Sequence, residues 1–285
     1  MKLAIASGKG GVGKSMVASA LAMLFAKRRK ISAVDCDVDA PDLHLWLGIT
    51  DWDKSEKVSV SEKAVIDYDK CIKCGKCAQV CRFGAMGFDK KPEVLPYLCE
   101  GCGACEFYCP ADAIHLEAVK NGEIRSRKTK YGFPLVSGLL YPGETGSGKI
   151  VTELKERADE SKPELMILDS AAGIGCPVIA SLNGVDYAVL VTEPTPSGFA
   201  DLQRVLEIVC HFNIPYGLVI NKWDINPEQS DGIGKWAGDK LLGKLSFDKE
   251  VFKAISTLTP ILESESKVAD EIKEVAKEVE ERVHI

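Results

Sequence analysis

The sequence predicts an α/β fold, a mostly parallel sheet with crossover helices, interrupted by a small cysteine-rich α+β insert. Three observations carry this. Short apolar runs alternate with helix-like stretches toward both ends of the 285-residue chain, the pattern of parallel strands joined by helices. The alternation breaks near Ser55 and resumes clearly at Glu164. Within the break, eight of the eleven cysteines fall between residues 71 and 109.

Taken in order, "KLAIA" at 2–6 is an apolar strand that runs into a glycine-rich loop, and a helix-like stretch follows from Lys14 to Lys27. "ISAVDCD" reads as a second buried strand with acids at its end. Later strands are expected from Phe133 to Tyr141 and at "ELMILD" (164–169), "YAVLVTE" (187–193) and "YGLVINK" (216–222). Ligands of such sheets bind at the carboxyl ends of the strands. At the far end Val268, Ile272, Val275, Val279 and Val283 recur at helical spacing, the stripe of an amphipathic helix. Residues 263–285 hold eight acids against four bases, so an anionic membrane would repel this helix and packing on the sheet is expected.

The break contains a repeat. "CIKCGKCAQVC" and "CEGCGACEFYC" start 28 residues apart, and Gly75 and Gly103, Cys81 and Cys109, and Ala85 and Ala113 keep that offset. Two copies are too few for a solenoid and predict one two-fold module. The expected division is an insert at 60–118 within a domain formed by 1–59 and 119–285.

The net charge of −6 argues against a general nucleic-acid binder, which needs a basic excess to displace counterions. The basic run "RSRKTK" (125–130) reads as a solvated strand edge or hairpin. No apolar stretch reaches the ~18 residues of a membrane span, and the chain opens on lysines and glycines instead of an apolar signal core. A cytoplasmic protein without a membrane partner is the expectation. Thiols stay reduced there, so clustered cysteines imply metal ligation rather than disulfides.

Residues 8–15, "GKGGVGKS", fit the whole phosphate-cradling pattern G-x-x-x-x-G-K-[ST]. Its backbone N–H groups and the following helix N-terminus can surround phosphate oxygens. Gly8, Gly10, Gly11, Val12, Gly13, Lys14, Ser15 and Met16 are the candidate nucleotide-binding residues, with Lys14 on the β and γ phosphates and the Ser15 hydroxyl on Mg²⁺. A second loop, "GETGSGKI" at 143–150, matches only seven positions, because Ile150 stands where a hydroxyl is needed. One nucleotide site per chain is expected, with the second loop a helix-entry turn.

"KGGVGKS", with Lys9 ahead of the glycine pair, resembles the deviant P-loop of the MinD/ParA/Mrp superfamily, to which the nitrogenase iron protein also belongs. The resemblance implies a P-loop NTPase fold, a homodimer, ATP and Mg²⁺. It makes Lys9 a finger that reaches the nucleotide of a second subunit, an effect worth roughly 10³–10⁵ in rate where other NTPases use one. "VDCDVDAPD" resembles switch I: Asp35 and Asp37 end the strand, Asp37 is the expected water-orienting and Mg²⁺-shell acid, and Asp39 is its rival by spacing. Either could instead cap a turn. Asp169 resembles the Walker B acid on Mg²⁺, and "SAAGIG" after it resembles switch II. "NKWD" at 221–224 also fits the guanine-reading box of GTPases. In the MinD-like family the Asn contacts adenine, so Asn221 and Lys222 are expected at the base and ATP is expected over GTP.

Cys71-x₂-Cys74-x₂-Cys77-x₃-Cys81 and Cys99-x₂-Cys102-x₂-Cys105-x₃-Cys109-Pro110 match the spacing of two-cluster bacterial ferredoxins. That resemblance implies two [4Fe–4S] clusters, one on Cys71, Cys74, Cys77 and Cys109, the other on Cys99, Cys102, Cys105 and Cys81. Zinc would explain four thiolates per site but not the third Cys-x₂-Cys step. Arg82 departs from the usual proline after the first run without removing a ligand. Of the other cysteines, Cys36 and Cys210 read as core. Cys176 stands at the offset from Asp169 of a cluster ligand in the nitrogenase iron protein, which makes it a possible extra ligand at a dimer interface, or a structural thiol. His44, His115, His211 and His284 form no ligand pattern.

Together these resemblances imply a dimeric P-loop ATPase carrying a ferredoxin-like module, in which nucleotide state governs electron transfer to a redox partner. The alternative is an Mrp-type carrier that hands a cluster or metal cofactor to an acceptor protein.

Overall fold

The computed structural model describes residues 1–284. Among the described residues thirteen strands are formed: β1 (Lys2–Ser7), β2 (Ile31–Asp35), β3 (Lys54–Val58), β4 (Ser61–Ile66), β5 (Met86–Phe88), β6 (Pro92–Val94), β7 (Ile114–Val119), β8 (Gly122–Lys128), β9 (Pro134–Leu140), β10 (Leu165–Ala172), β11 (Tyr187–Thr192), β12 (Tyr216–Asn221) and β13 (Leu241–Leu245). The helices are α1 (Lys14–Phe25), α2 (Leu43–Trp46), α3 (Lys76–Val80), α4 (Ala104–Phe107), α5 (Ser147–Asp159), α6 (Cys176–Leu182), α7 (Pro196–His211), α8 (Pro227–Ala237), α9 (Lys249–Ser256) and α10 (Val268–Val283).

Nine strands form one sheet in the order β13-β12-β11-β1-β10-β2-β9-β8-β3. Every pairing from β13 across to β9 is parallel. Central strands buried on both faces need continuous apolar runs, and β1, β2, β10 and β11 have them. Alternate side chains divide between two helical layers. Leu3, Ile5, Ile31, Ala33, Leu165, Ile167 and Val189 join the core beneath α1 and α10, while α5 packs on β2, α6 on β10 and α7 on β11. The tail helix runs as its periodicity predicts, with Val268, Ile272, Val275 and Val279 buried and Val283 half-buried. No helix among the described residues is long and apolar enough to cross a membrane.

The chain divides into two compact units, one of residues 1–55, 124–139 and the described residues from 147 onward, the other of 56–123 and 140–146. The second unit is longer than the expected insert and includes a segment from the second glycine-rich loop. It pairs β4 with β7 and β5 with β6, both antiparallel, and its short helices α3 and α4 each start from a left-handed glycine, Gly75 and Gly103. The 28-residue repeat extends to the backbone: Lys73 and Gly101, Gly75 and Gly103, and Gly84 and Asp112 all have positive φ. Ala64, Ile66, Ala85, Met86 and Ile114 form this unit's small apolar core.

Two expectations are corrected. Cys210 is exposed, not core; α7 buries Leu202, Val205 and Val209, and the next residue lies a further 100° round the helix. Asp169 does not end its strand, since β10 continues to Ala172.

Candidate functional site

The loop 8–13 leaves the end of β1, between β10 and β11, and enters α1 through Gly13, whose φ is 94°. A Cβ there would collide with the Asn221 amide, so glycine is required twice over, by conformation and by space. Gly8 lies against the backbone of Asp201 with no room for a Cβ. Gly10 and Gly11 form the exposed tip, whereas Val12, Lys14, Ser15 and Met16 are buried.

Lys14 Nζ donates to Asp169 Oδ1 at 2.7 Å and to Ser15 Oγ at 3.2 Å. Lysine, serine and the β10 acid therefore share one buried point. Burial works against the Lys14 ammonium, but Asp169's charge and hydrogen bond, with Asp35 and Asp37 behind, outweigh it and hold its pKa above the ordinary value. Burial pushes the Asp169 carboxyl up to about 6 against the pull of Lys14. Asp35 is fully buried and also pushed up, by burial and then by Asp169. Its two oxygens accept from the N–H groups of Asp37 and Leu43, so it shapes the segment after β2. Asp37 is half-buried and within the field of Lys14; Asp39 is exposed.

The site also contains an acid that the motifs did not single out. Asp42, in "VDCDVDAPD", raises the carboxyl pKa of Asp35, Asp37 and Asp169 through its charge. Its Oδ1 and the Oδ2 of Asp169 are buried without a hydrogen-bond partner. Buried orphan carboxylate oxygens need a cation or water, and Mg²⁺ binds through one or two carboxylates with phosphate and waters completing its shell. The donor set fits Mg²⁺ in that manner, with Ser15 and Asp169 both bonded to Lys14.

The other expected residues take roles set by tertiary contacts. Asn221 Nδ2 donates to the Val12 carbonyl at 2.7 Å, so the amide ties down the glycine loop. Lys222 Nζ donates to the Gly11 carbonyl at 3.1 Å. Lys9 Nζ donates to Glu193 Oε1 at 2.7 Å, and Lys222 reaches the other oxygen of that carboxylate at 3.5 Å. The hydrogen bond to Glu193 raises the Lys9 pKa. Glu193 follows β11 and carries no motif, so only the fold reveals it.

Beside the loop lies a cavity of about 130 Å³, walled by Met16, Trp46, Phe247, Val251 and Phe252, with Asn221 at its edge. Asp224, the residue that would read guanine, does not line it; its Oδ1 accepts from the Phe247 N–H at 2.6 Å.

In the second unit the eight motif cysteines divide between two cavities. Cys71, Cys74, Cys77 and Cys109 line one; Cys81, Cys99, Cys102 and Cys105 line the other, and each has a volume of about 20 Å³. Each takes three cysteines from one run and the fourth from the other. Ala113 N–H donates to Cys109 Sγ at 3.3 Å, and Ala64 N–H to Cys99 Sγ at 3.5 Å. Burial pushes the thiols of Cys77 and Cys105 up, so a thiolate there requires a compensating cation. Among the described residues no three His, Cys, Asp or Glu converge on a single metal ion. A four-iron cubane does not ask for that, because each thiolate binds a different iron. Its fit rests on four cysteines around each small cavity with apolar and backbone groups between them. Cys176 is exposed at the start of α6.

The second glycine-rich loop is built otherwise. Lys149 is exposed and Ile150 is fully buried. Asn121, fully buried, donates to the Thr145 carbonyl at 2.5 Å and accepts from Val60 N–H at 3.0 Å. Glu144 pairs with the buried Lys63 at 2.8 Å. The loop backbone is thus tied within the second unit.

What the fold and the first loop define together is a class, the P-loop nucleotide-binding α/β proteins. Within it, this chain belongs to the CobQ/CobB/MinD/ParA nucleotide binding domain family, whose match runs over residues 3–261. It is 42% identical over 281 residues to the protein MJ0578 of Methanocaldococcus jannaschii, a match covering 99% of this chain and 97% of that one. A partial likeness, 41% over 58 residues, joins 20% of this chain to 69% of the pyruvate synthase subunit PorD of Methanothermobacter marburgensis. Among solved structures, the septum site-determining protein MinD of Pyrococcus horikoshii, complexed with Mg-ADP, superposes with a TM-score of 0.62 at 17% identity. That superposition covers 99% of this chain and 96% of MinD, and at such identity it speaks for the fold alone.

Proposed function

We propose that this chain is a dimerising ATPase whose nucleotide state controls one-electron transfer through two [4Fe–4S] clusters to a partner protein. The observation that carries the redox half is the crossed sorting of eight cysteines into two four-cysteine cavities. When bound, such clusters supply low-potential one-electron carriage. Cys71, Cys74, Cys77 and Cys109 hold one, and Cys99, Cys102, Cys105 and Cys81 hold the other. The ferredoxin-like module occupies about 60–118 within the longer compact unit. A partial match supports this half: 74 residues of the chain are 32% identical to a ferredoxin of Pyrobaculum islandicum.

In the nucleotide half, Lys14 leaves Asp169 for the β and γ phosphates. Ser15 and Asp169 hold Mg²⁺, with Asp37 and Asp42 placed to act on its water shell. Asp37 orients the attacking water, a role for which exposed Asp39 is less well placed. The apolar cavity beside Met16 and Phe252 takes the base, and the absence of Asp224 from its lining favours adenine over guanine. Lys9, latched to Glu193 in this chain, is released to act on the partner's nucleotide in the dimer. A ligand shifts a two-state element only through unequal contacts with its two states; γ-phosphate contacts to the segments after Asp35 and Asp169 supply that inequality.

A second reading is favoured by one observation, the exposure of Cys176 at the start of α6. A cluster bridged by Cys176 from two chains would be labile and transferable, as in a cofactor carrier. Iron per chain and its transfer to an apo-acceptor separate the readings. About eight irons that stay bound support electron transfer; iron that passes to the acceptor supports the carrier.

A further inference from the structure

The two halves of the cysteine repeat share a backbone and differ in charge. Residues 64–91 carry six lysines and arginines against three acids, whereas residues 92–119 carry five acids and no lysine or arginine. At the cavities the contrast narrows to two positions. Lys76 lines the Cys71–Cys109 cavity, and its repeat counterpart Ala104 lines the other. Glu100 lines the Cys81–Cys105 cavity, and its counterpart Ile72 lines the first. Neither Lys76 nor Glu100 has an ion-pair partner among the described residues. One cavity therefore has an unpaired ammonium in its wall, the other an unpaired carboxylate.

Other influences on the two cavities are nearly matched. Each receives one backbone N–H···S bond, from Ala113 and Ala64. Each includes one exposed cysteine, Cys74 and Cys102, and the two cavity volumes agree, about 20 Å³ each. Lys73 and Glu106, exposed like Lys76 and Glu100, extend the charge difference; Arg82 runs against it, but lines neither cavity.

Resting on the reading of these cavities as cluster sites, we propose that the two clusters are unequal. The one on Cys71, Cys74, Cys77 and Cys109 is the more readily reduced, and Lys76 and Glu100 set the order. Reduction adds a negative charge to a cavity. An ammonium in the wall lowers the energy of the reduced state and a carboxylate raises it, and cluster potentials respond to such local charge. An electron shared between the two then resides chiefly beside Lys76.

The test is a redox titration of the anaerobically purified full chain, followed by electron paramagnetic resonance, with iron counted on each sample. Two separate waves are expected. Lys76→Glu lowers the upper wave and leaves the lower in place; Glu100→Lys raises the lower and leaves the upper in place. Lys76→Ala and Glu100→Gln give smaller shifts in the same directions and serve where charge reversal hinders assembly. Coincident waves, unmoved waves, or Lys76→Glu acting on the lower wave overturn the order. A chain without about eight irons removes the cluster reading itself, whereas a loaded chain with equal or reversed waves removes only this inference.

Discussion

Two loops in this chain end in Gly-x-Gly-Lys and turn into a helix through a left-handed glycine, Gly13 in one and Gly146 in the other. One gathers a buried lysine, a hydroxyl and a carboxylate from a neighbouring strand; the other has an exposed lysine and a buried isoleucine. The difference lies in what surrounds the loop. The first emerges from β1, within reach of Asp169 on the adjacent β10 and of Asn221 at the end of β12. The second has Asn121 on one backbone carbonyl and Lys63 on the Glu144 carboxylate. A phosphate loop is a local backbone shape plus side chains that only the sheet can bring to it.

The sharpest way to break this comparison is to remove each lysine in turn. Lys14→Ala should abolish ATP binding and hydrolysis, while Lys149→Ala leaves both unchanged by calorimetry and phosphate release; the reverse would reassign the site. Next in size is Lys9→Ala. If Lys9 is the finger, nucleotide binding survives and hydrolysis falls by about 10³-fold or more. A fall of less than tenfold would make Lys9 only a partner of Glu193.

The two asparagines extend the comparison. Asn221→Ala leaves the Val12 carbonyl unpaired, at about 1–3 kcal/mol, so ATP affinity is expected to drop roughly tenfold or more. Asn121→Ala strands the Thr145 carbonyl and Val60 N–H at a similar cost, but here thermal stability falls and ATP affinity does not. Equal losses of affinity would mean the second loop shares in the nucleotide site.

The smallest expected effect is that of pH. The Asp169 carboxyl is pushed up to about 6, so the folded chain holds this proton more tightly than the unfolded one. Without nucleotide, the stability from this group is present at low pH and is lost as pH rises through about 6. Mg²⁺ needs the ionised form, so Mg-ATP affinity should rise several-fold over the same window. A flat affinity profile between pH 5 and 7, measured against Asp169→Asn, would take Asp169 off the metal.

The first loop and the eight cysteines were legible because their chemistry is written in contiguous residues at fixed spacing. The parallel sheet was legible for a similar reason: buried strands must be apolar throughout. Glu193, Asp42 and the tether role of Asn221 were not, because each acquires its role from a residue far along the chain. Asn221 stands 209 positions from Val12. Cys210 misled because an apolar helical run does not say which face is covered. Likewise the 140–146 segment joins the second unit through the Lys63–Glu144 pair and Asn121, side chains whose pairing no local pattern announces.

The central claim is that nucleotide state governs the redox module. Its most direct test is electron transfer from the fully iron-loaded chain to a one-electron acceptor, with cluster potentials measured on the same sample, apo and with Mg²⁺ and a non-hydrolysable ATP analogue. The account predicts that the analogue changes at least one potential or the transfer rate, and that Lys14→Ala removes the change. Identical potentials and rates in both states would contradict it.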